Sequence, residues 1–321
     1  MKINVTKMMM LFTMFLSALT AMSTSSMLMI WTMMEINLMS FLPIMTKSKS
    51  MKDQPMKFFI IQSLASSMML MSMLINSMTE TPLSSSIMLM SGLLMKMGLL
   101  PFHMWVPMIM KPMTWENCFI LMTMQKIIPT IFMAQMMSLK MLMTPMCLTM
   151  IMAPIMAIKQ LSLKTIMAYS SISNSPWMIN SLINSKSQFV TFFSVYTIIN
   201  FMITKKLKNM NFMFLNQVKT QSKNKKISII VNILSMSGMP PMLGFFPKWM
   251  ILQSTMSFSI AMASSMILSS ITSTFIYMKM ISPMLTMNTM TEKKNKEKNE
   301  LENDIVVNTA GIIMLLIMKS F

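Results

Sequence analysis

KMGLLPFHMWVP, Lys96–Pro107, interrupts a long apolar run with Gly98, Pro101 and Pro107. A counterpart, SGMPPMLGFFPKW (Ser237–Trp249), interrupts another with Gly238, Pro240, Pro241, Gly244 and Pro247. Proline removes a backbone donor and collides with the preceding turn, so a helix drawn through either stretch must break. The surrounding runs, Ser84–Met110 and Ile227–Thr255, are nevertheless long enough to cross a bilayer, whose core of roughly 30 Å takes about 20 helical residues. Irregular backbone at that depth survives only inside protein or beside a hydrated cavity. Each stretch also carries a lysine, Lys96 just before the first break and Lys248 just after the second.

The rest of the chain fits that reading. Of 321 residues, 54% are hydrophobic and 11% charged, where a soluble domain carries about 25% charged residues. The chain therefore reads as an all-α polytopic membrane protein. Methionine accounts for 57 residues. Because Met substitutes for Leu or Ile in packed helices at little cost, the excess reads as mutational bias in an AT-rich organellar genome rather than as copper ligation. Cys118 and Cys147 have no partner motif, and no zinc spacing, phosphate loop or nucleophile elbow is present. A net charge of +18 suggests nucleic acid at first sight, but the lysines sit in short loops between apolar spans. A topology signal explains them better.

Hydropathy gives eleven spans: Asn4–Met22, Met27–Thr46, Phe58–Ile75, Ser84–Met110, Trp115–Met136, Met141–Ile158, Leu163–Ile183, Phe189–Ile203, Ile227–Thr255, Ser257–Met280 and Ile305–Ile317. The first is expected to be a retained helix, since no A-x-A-like cleavage site follows Lys2 and Lys7. Alternating the spans places 21 lysines on one face and only Lys140, Lys186 and Lys319 on the other. Positive charge stays on the side from which insertion occurs, so the basic face is cytoplasmic or its organellar equivalent. The broken helices are fourth of spans 1–5 and fourth of spans 6–10, the sign of an inverted repeat. The expected architecture is two inverted five-helix repeats, 1–139 and 140–284, followed by a charged loop and one terminal helix in 285–321. Within that tail, KKNKEKNELEND (Lys293–Asp304) reads as a solvated charge run, with a docking role as the alternative.

Function is sought at the residues that are costly in lipid. A lysine at a helix centre costs about 2.5 to 3.5 kcal/mol, so it normally faces a bundle interior or a hydrated path. Lys96, Lys126 and Lys248 are three such residues, and Glu35 in WTMMEINLM is the acid that accompanies them. Burial disfavours an ammonium and a nearby carboxylate favours it, so a lysine with a movable acidic partner can load and unload a proton. Glu35 and Lys96 are expected to form that pair, with Lys126 and Lys248 as successive carriers. The competing expectation is that these lysines snorkel or bond carbonyls freed at the breaks. His103 follows Lys96 by two helical turns if Pro101 is ignored, and is a candidate relay or a packing residue. In the seventh span, Tyr169, Ser170, Ser171, Ser173, Asn174 and Ser175 either order water or join helices.

WTMMEINLMSFLP, KMGLLPFHMWVP, LMTMQKIIP, LKTIMAYSSIS and SGMPPMLGFFPKW, in that order and spacing, resemble the family of mitochondrial NADH–ubiquinone oxidoreductase chain 2, an antiporter-like subunit of respiratory complex I. The resemblance extends over roughly Trp31–Pro283. It implies a multi-pass subunit of the mitochondrial inner membrane, in the form that lacks three N-terminal helices of bacterial relatives. Its basic loops and N-terminus would face the matrix and its C-terminus the intermembrane space. The resemblance also puts the family's proton-carrying residues on Glu35, Lys96, Lys126 and Lys248. NADH, FMN, iron–sulfur clusters and ubiquinone would then belong to other subunits, with no cofactor or metal held in this chain. Expected partners are other membrane-arm subunits, including antiporter-like ones, and lipid, but not nucleic acid. One departure matters: relatives carry SSI-x-H-x-G-W where this chain has SSISNSPW, which puts Asn174 at the histidine and Pro176 at the glycine. The expected function is proton translocation through a Glu/Lys axis driven by quinone reduction elsewhere. A free-standing Mrp-like cation/proton antiporter and a non-transporting scaffold are the alternatives.

Overall fold

The computed structural model describes residues 5–46, 53–78, 82–136, 138–215, 217, 223–285 and 304–309. Its helices run α1 (Val5–Ser23), α2 (Met27–Thr46), α3 (Gln54–Met78), α4 (Pro82–Met97), α5 (Trp105–Met110), α6 (Trp115–Met122) and α7 (Met124–Met136). They continue as α8 (Leu139–Ile158), α9 (Leu163–Asn184), α10 (Lys186–Asn209), α11 (Lys223–Ser237), α12 (Phe245–Met256) and α13 (Ile260–Leu285). A further turn and a half of helix occupies 304–309. Among the described residues there is no strand beyond an isolated antiparallel bridge, Ser162 to Phe214. Among the described residues, seven spans are long and apolar enough to cross a membrane by themselves. The chain is an all-α polytopic membrane protein.

Both expected breaks are present, and the first follows from local chemistry. At the end of α4, Gly98 has φ +69°, which side chains disfavour. Its N–H donates to Met95 O at 3.3 Å and the Leu99 N–H to Leu94 O at 3.0 Å, closing the helix in a Schellman motif. Two carbonyls of the last turn are met by side chains: Trp105 Nε1 donates to Met95 O at 3.0 Å and Gln62 Nε2 to Lys96 O at 3.5 Å. Gly238, φ +78°, ends α11, its N–H donating to Ser235 O at 3.2 Å. A cis peptide lies in each break, at Leu100–Pro101 and Pro240–Pro241.

Three expectations need correction. The fifth span, expected to be continuous, is interrupted at Thr123 between α6 and α7. Pro129 offers no N–H to the Gln125 carbonyl, and the Thr123 hydroxyl donates to Phe119 O at 2.8 Å, a back-bond that bends helices. The eighth span is not short. α10 runs 24 residues, capped by Ser185, whose hydroxyl accepts from the Gln188 N–H, and closed by Lys206 and Lys208 in its last turn. Apolarity alone had excluded those polar ends. Lys164, one of the 21 lysines counted on the basic face, is buried in the first turn of α9. The expected eleventh span lies outside the described residues beyond 309, as does the charge run before Asp304.

The chain divides into two compact units, Met1–Thr149 and Met150–Phe321. In the first, α7 is buried from Lys126 to Met133 and is packed by α1, α2, α4 and α6. Phe41, Phe58 and Trp105 form an aromatic cluster between α2, α3 and α5, with centroids 5.5 and 5.8 Å apart. In the second, α9 is buried from Leu163 to Ser181 and is packed by α10, α12 and α13. Methionines fill both interiors, for instance Met34, Met69, Met133 and Met178. The outer faces are equally apolar: Met8, Met9, Phe12 and Phe15 of α1 and Leu268, Ile271 and Phe275 of α13 are exposed, as faces in contact with lipid must be.

A Cβ at residue 98 would lie 2.4 Å from Val106 Cγ2, in addition to the φ penalty. Gly98→Ala is therefore expected to destabilise the first unit by at least about 1–2 kcal/mol. A lowered thermal midpoint of the solubilised protein, with exposed Ser264→Ala as the unchanged control, checks this.

Candidate proton-transfer sites

In the first unit the structure brings together three of the residues singled out from sequence. Glu35 lies midway along α2 and Lys96 one residue before the end of α4; Lys96 Nζ donates to Glu35 Oε1 at 2.8 Å. The Lys96 side chain is 3% exposed and that of Glu35 24%. Partial exposure on the acid's side leaves it room to move relative to an amine that is held fast. Lys126, 4% exposed on α7, lines the same small cavity as Lys96, together with Gln62, Trp105 and Gln125. The cavity measures about 20 Å³, room for about one water molecule.

Sequence reasoning missed the amides that hold this arrangement. Gln125 Nε2 donates to Asn37 Oδ1 at 3.2 Å and lies 3.6 Å from Met14 Sδ, linking α7 to α2 and α1. Gln62 ties α3 to the end of α4. Their signal was present: single amides in otherwise apolar spans are expensive unless bonded. His103 lies in the break after α4, 5% exposed, with Nδ1 3.3 Å from Pro101 O. Because the helix stops at Met97, the two-turn alignment of His103 with Lys96 does not exist.

The second unit solves the same problem differently. Lys248, on the first turn of α12, donates to Met236 O at 3.3 Å and Ser237 O at 3.0 Å. It thus caps α11 across the break, where a cation suits the helix C-terminus, and stands 5.9 Å from the Trp177 ring centroid. The carbonyl-binding role weighed against proton carriage is therefore real for this lysine. Gly238 makes it possible, since a Cβ there would lie 3.2 Å from Lys248 Nζ. Lys248 also lines a cavity of about 20 Å³ with Asn174, Tyr196 and Ser235. Asn174 thus faces the same space as the amine. In α9 itself, the hydroxyls of Ser170, Ser171, Ser173 and Ser175 donate to carbonyls three or four residues back, while Asn184 reaches Ser254 Oγ on α12 at 2.6 Å.

Glu35 is not the only acid enclosed by the helices. Asp304, expected within a solvated run, is 6% exposed and pairs with Lys206 of α10. Ion pairing and a hydrogen bond from Ser228 offset the desolvation that made a buried acid look improbable from sequence. Among the described residues no cluster of His, Cys, Asp or Glu could hold a metal ion.

The family profile described as NADH:quinone oxidoreductase/Mrp antiporter, transmembrane, matches residues 24–276. NADH-ubiquinone oxidoreductase chain 2 of Locusta migratoria is 39% identical over 235 residues, 70% of this chain and 69% of that protein. The Rhipicephalus sanguineus protein of the same name is 32% identical over 316 residues, 98% of this chain and all of its own. Among solved structures, a chain of respiratory complex I from Thermus thermophilus with bound Aureothin superposes with TM-score 0.84 at 18% identity, over 98% of this chain and 80% of that one. A chain of the Mrp complex from Dietzia sp. DQ12-45-1b gives 0.67 at 16% identity, over 89% and 62%. The structural likenesses establish a common fold, and the sequence matches establish kinship along nearly the whole chain. The chain belongs to the NADH:quinone oxidoreductase/Mrp antiporter family and, within it, to the chain 2 subunits of NADH–ubiquinone oxidoreductase.

Proposed function

We propose that this chain is a proton-translocating membrane-arm subunit of an NADH:ubiquinone oxidoreductase, moving protons along a Glu/Lys axis while redox chemistry proceeds in other subunits. The observation that carries the reading is the Glu35–Lys96 pair, 2.8 Å apart at membrane depth, beside a water-sized cavity that Lys126 shares. Coulomb attraction makes the hold of Lys96 on its proton depend on where Glu35 sits. With Glu35 close, Lys96 remains an ammonium. With Glu35 drawn away, Lys96 can pass its proton through one water to Lys126. Lys248 is the next carrier, its proton held against the α11 carbonyls and released into the space lined by Asn174. Water ordered by Asn174 takes the place of a histidine there. His103, bonded within its own turn, is left as a positioning residue for the break.

The chain 2 relatives and the complex I fold neighbours support membership in a large oxidoreductase assembly. NADH, FMN, iron–sulfur clusters and ubiquinone are assigned to its other subunits. The lysine asymmetry supports a matrix-facing basic side and N-terminus, with the C-terminus toward the intermembrane space. We assign residues 1–139 and 140–284 to inverted five-helix repeats, a reading supported by matching glycine-led breaks before α5 and α12.

Two outcomes test the reading in the intact assembly reconstituted into vesicles. Lys126→Met is expected to leave NADH oxidation and assembly in place and to lower the protons moved per NADH oxidised; an unchanged ratio overturns the axis. Lys96→Met leaves the half-buried Glu35 carboxylate without its partner and is expected to lower stability by less than the roughly 3–5 kcal/mol of a fully buried pair. Glu35→Gln combined with Lys96→Met is expected to recover most of that stability while transport stays low, read by thermal midpoint and proton ratio on the same sample.

A further inference from the structure

We propose that Asp304 is a proton-loading carboxylate for Lys248, and that Ser228, Asn232 and Ser235 of α11 form the path between them. The inference rests on the reading of Lys248 as a carrier. It assigns that carrier a route from the basic-loop face, through a residue of the C-terminal segment.

The mouth of the path is a second amine–carboxylate pair. Asp304 Oδ2 accepts from Lys206 Nζ, and from Ser228 Oγ at 2.5 Å; Lys206 Nζ also donates to the hydroxyl and carbonyl of Ser228. Lys206 closes α10 and Ser228 opens α11, so the pair lies where the lysine-rich loops of the second unit meet the bundle. That end of α11 also carries Lys223, Lys225 and the buried Lys226.

From there a polar stripe runs inward. Ser228, Asn232 and Ser235 are spaced by four and three residues, which puts them on one face of α11 over about 10 Å. All three are buried. Asn308, one turn after Asp304, donates to Asn232 Oδ1 at 2.8 Å and to Asp304 O at 2.7 Å. Ser235 Oγ donates to Asn232 O at 2.7 Å and lines the cavity that contains Lys248.

The remaining polar atoms of this stripe are suited to water. Asn232 Nδ2 and Asn308 Oδ1 are buried and have no hydrogen-bond partner among the described residues. Buried donors and acceptors of this kind are ordinarily satisfied by ordered water. An open donor and an open acceptor at the middle of the stripe, with Ser235 at the Lys248 cavity, are what a short water file needs. In the transfer, Asp304 takes a proton from solvent water as Lys206 swings aside. It gives that proton to the first water of the file, and the last water protonates the neutral amine of Lys248. The carboxylate and the waters are restored.

A purely structural latch would use the same contacts to seat the terminal helix, so the test must read transport per assembled complex. The intact NADH-oxidising assembly carrying Asp304→Asn, which keeps size and hydrogen bonding but cannot titrate, is reconstituted in vesicles. Its ratio of protons moved to NADH oxidised is expected to fall by the same fraction as in Lys248→Met, and Asp304→Glu is expected to restore it. A normal ratio in Asp304→Asn beside a lowered one in Lys248→Met overturns this proposal and leaves the proton axis standing. A normal ratio in Lys248→Met itself overturns the axis and this route with it. Should Asp304→Asn fail to assemble, Asn232→Leu cuts the stripe without touching the ion pair. A lowered ratio per complex then supports the route, and an unchanged one overturns it.

Discussion

Holding an ammonium group away from water is the constraint around which both units are built. In each, the lysine sits beside a helix break, and the break supplies part of what the charge needs. The two solutions are opposite in sense. Lys96 precedes its break and meets a carboxylate from another helix, while the carbonyls released at the break go to Trp105 and Gln62. Lys248 follows its break and takes the released carbonyls itself. A carboxylate partner can be drawn away from its amine; backbone carbonyls cannot. The first arrangement therefore suits a point where transport is modulated, the second a point where a proton waits.

The central helices show how enclosure is achieved without a large hydrophobic effect between helices in lipid. α7 and α9 are buried along most of their length and carry the polar residues, whereas α1 and α13 turn apolar faces outward. Amide bonds such as Gln125 to Asn37 and Asn184 to Ser254 then fix the register of neighbouring helices. Each such bond replaces an otherwise costly buried amide with a satisfied one.

Much of this was legible in the residues. Desolvation cost alone selected Glu35, Lys96, Lys126 and Lys248, and the proline and glycine clusters located both major breaks. What escaped was of three kinds. The interruption at Thr123 depends on a hydroxyl competing for a carbonyl, which no hydropathy pattern records. The length of α10 depends on caps and flanking lysines that look like loop when judged by apolarity. Asp304 escaped because its neighbours in sequence are charged and solvated in character, while its partners, Lys206 and Ser228, are 98 and 76 residues away. Local composition cannot announce a contact made across that distance.

The scarcity of glycine acquires a meaning from the packing. At residues 92, 98, 238 and 244 an added methyl carbon would come within 3.0 Å of another atom, at Gly244 as close as 1.8 Å to a backbone oxygen. These four glycines of the described residues stand where an added side chain would force a neighbouring helix, break or lysine to move.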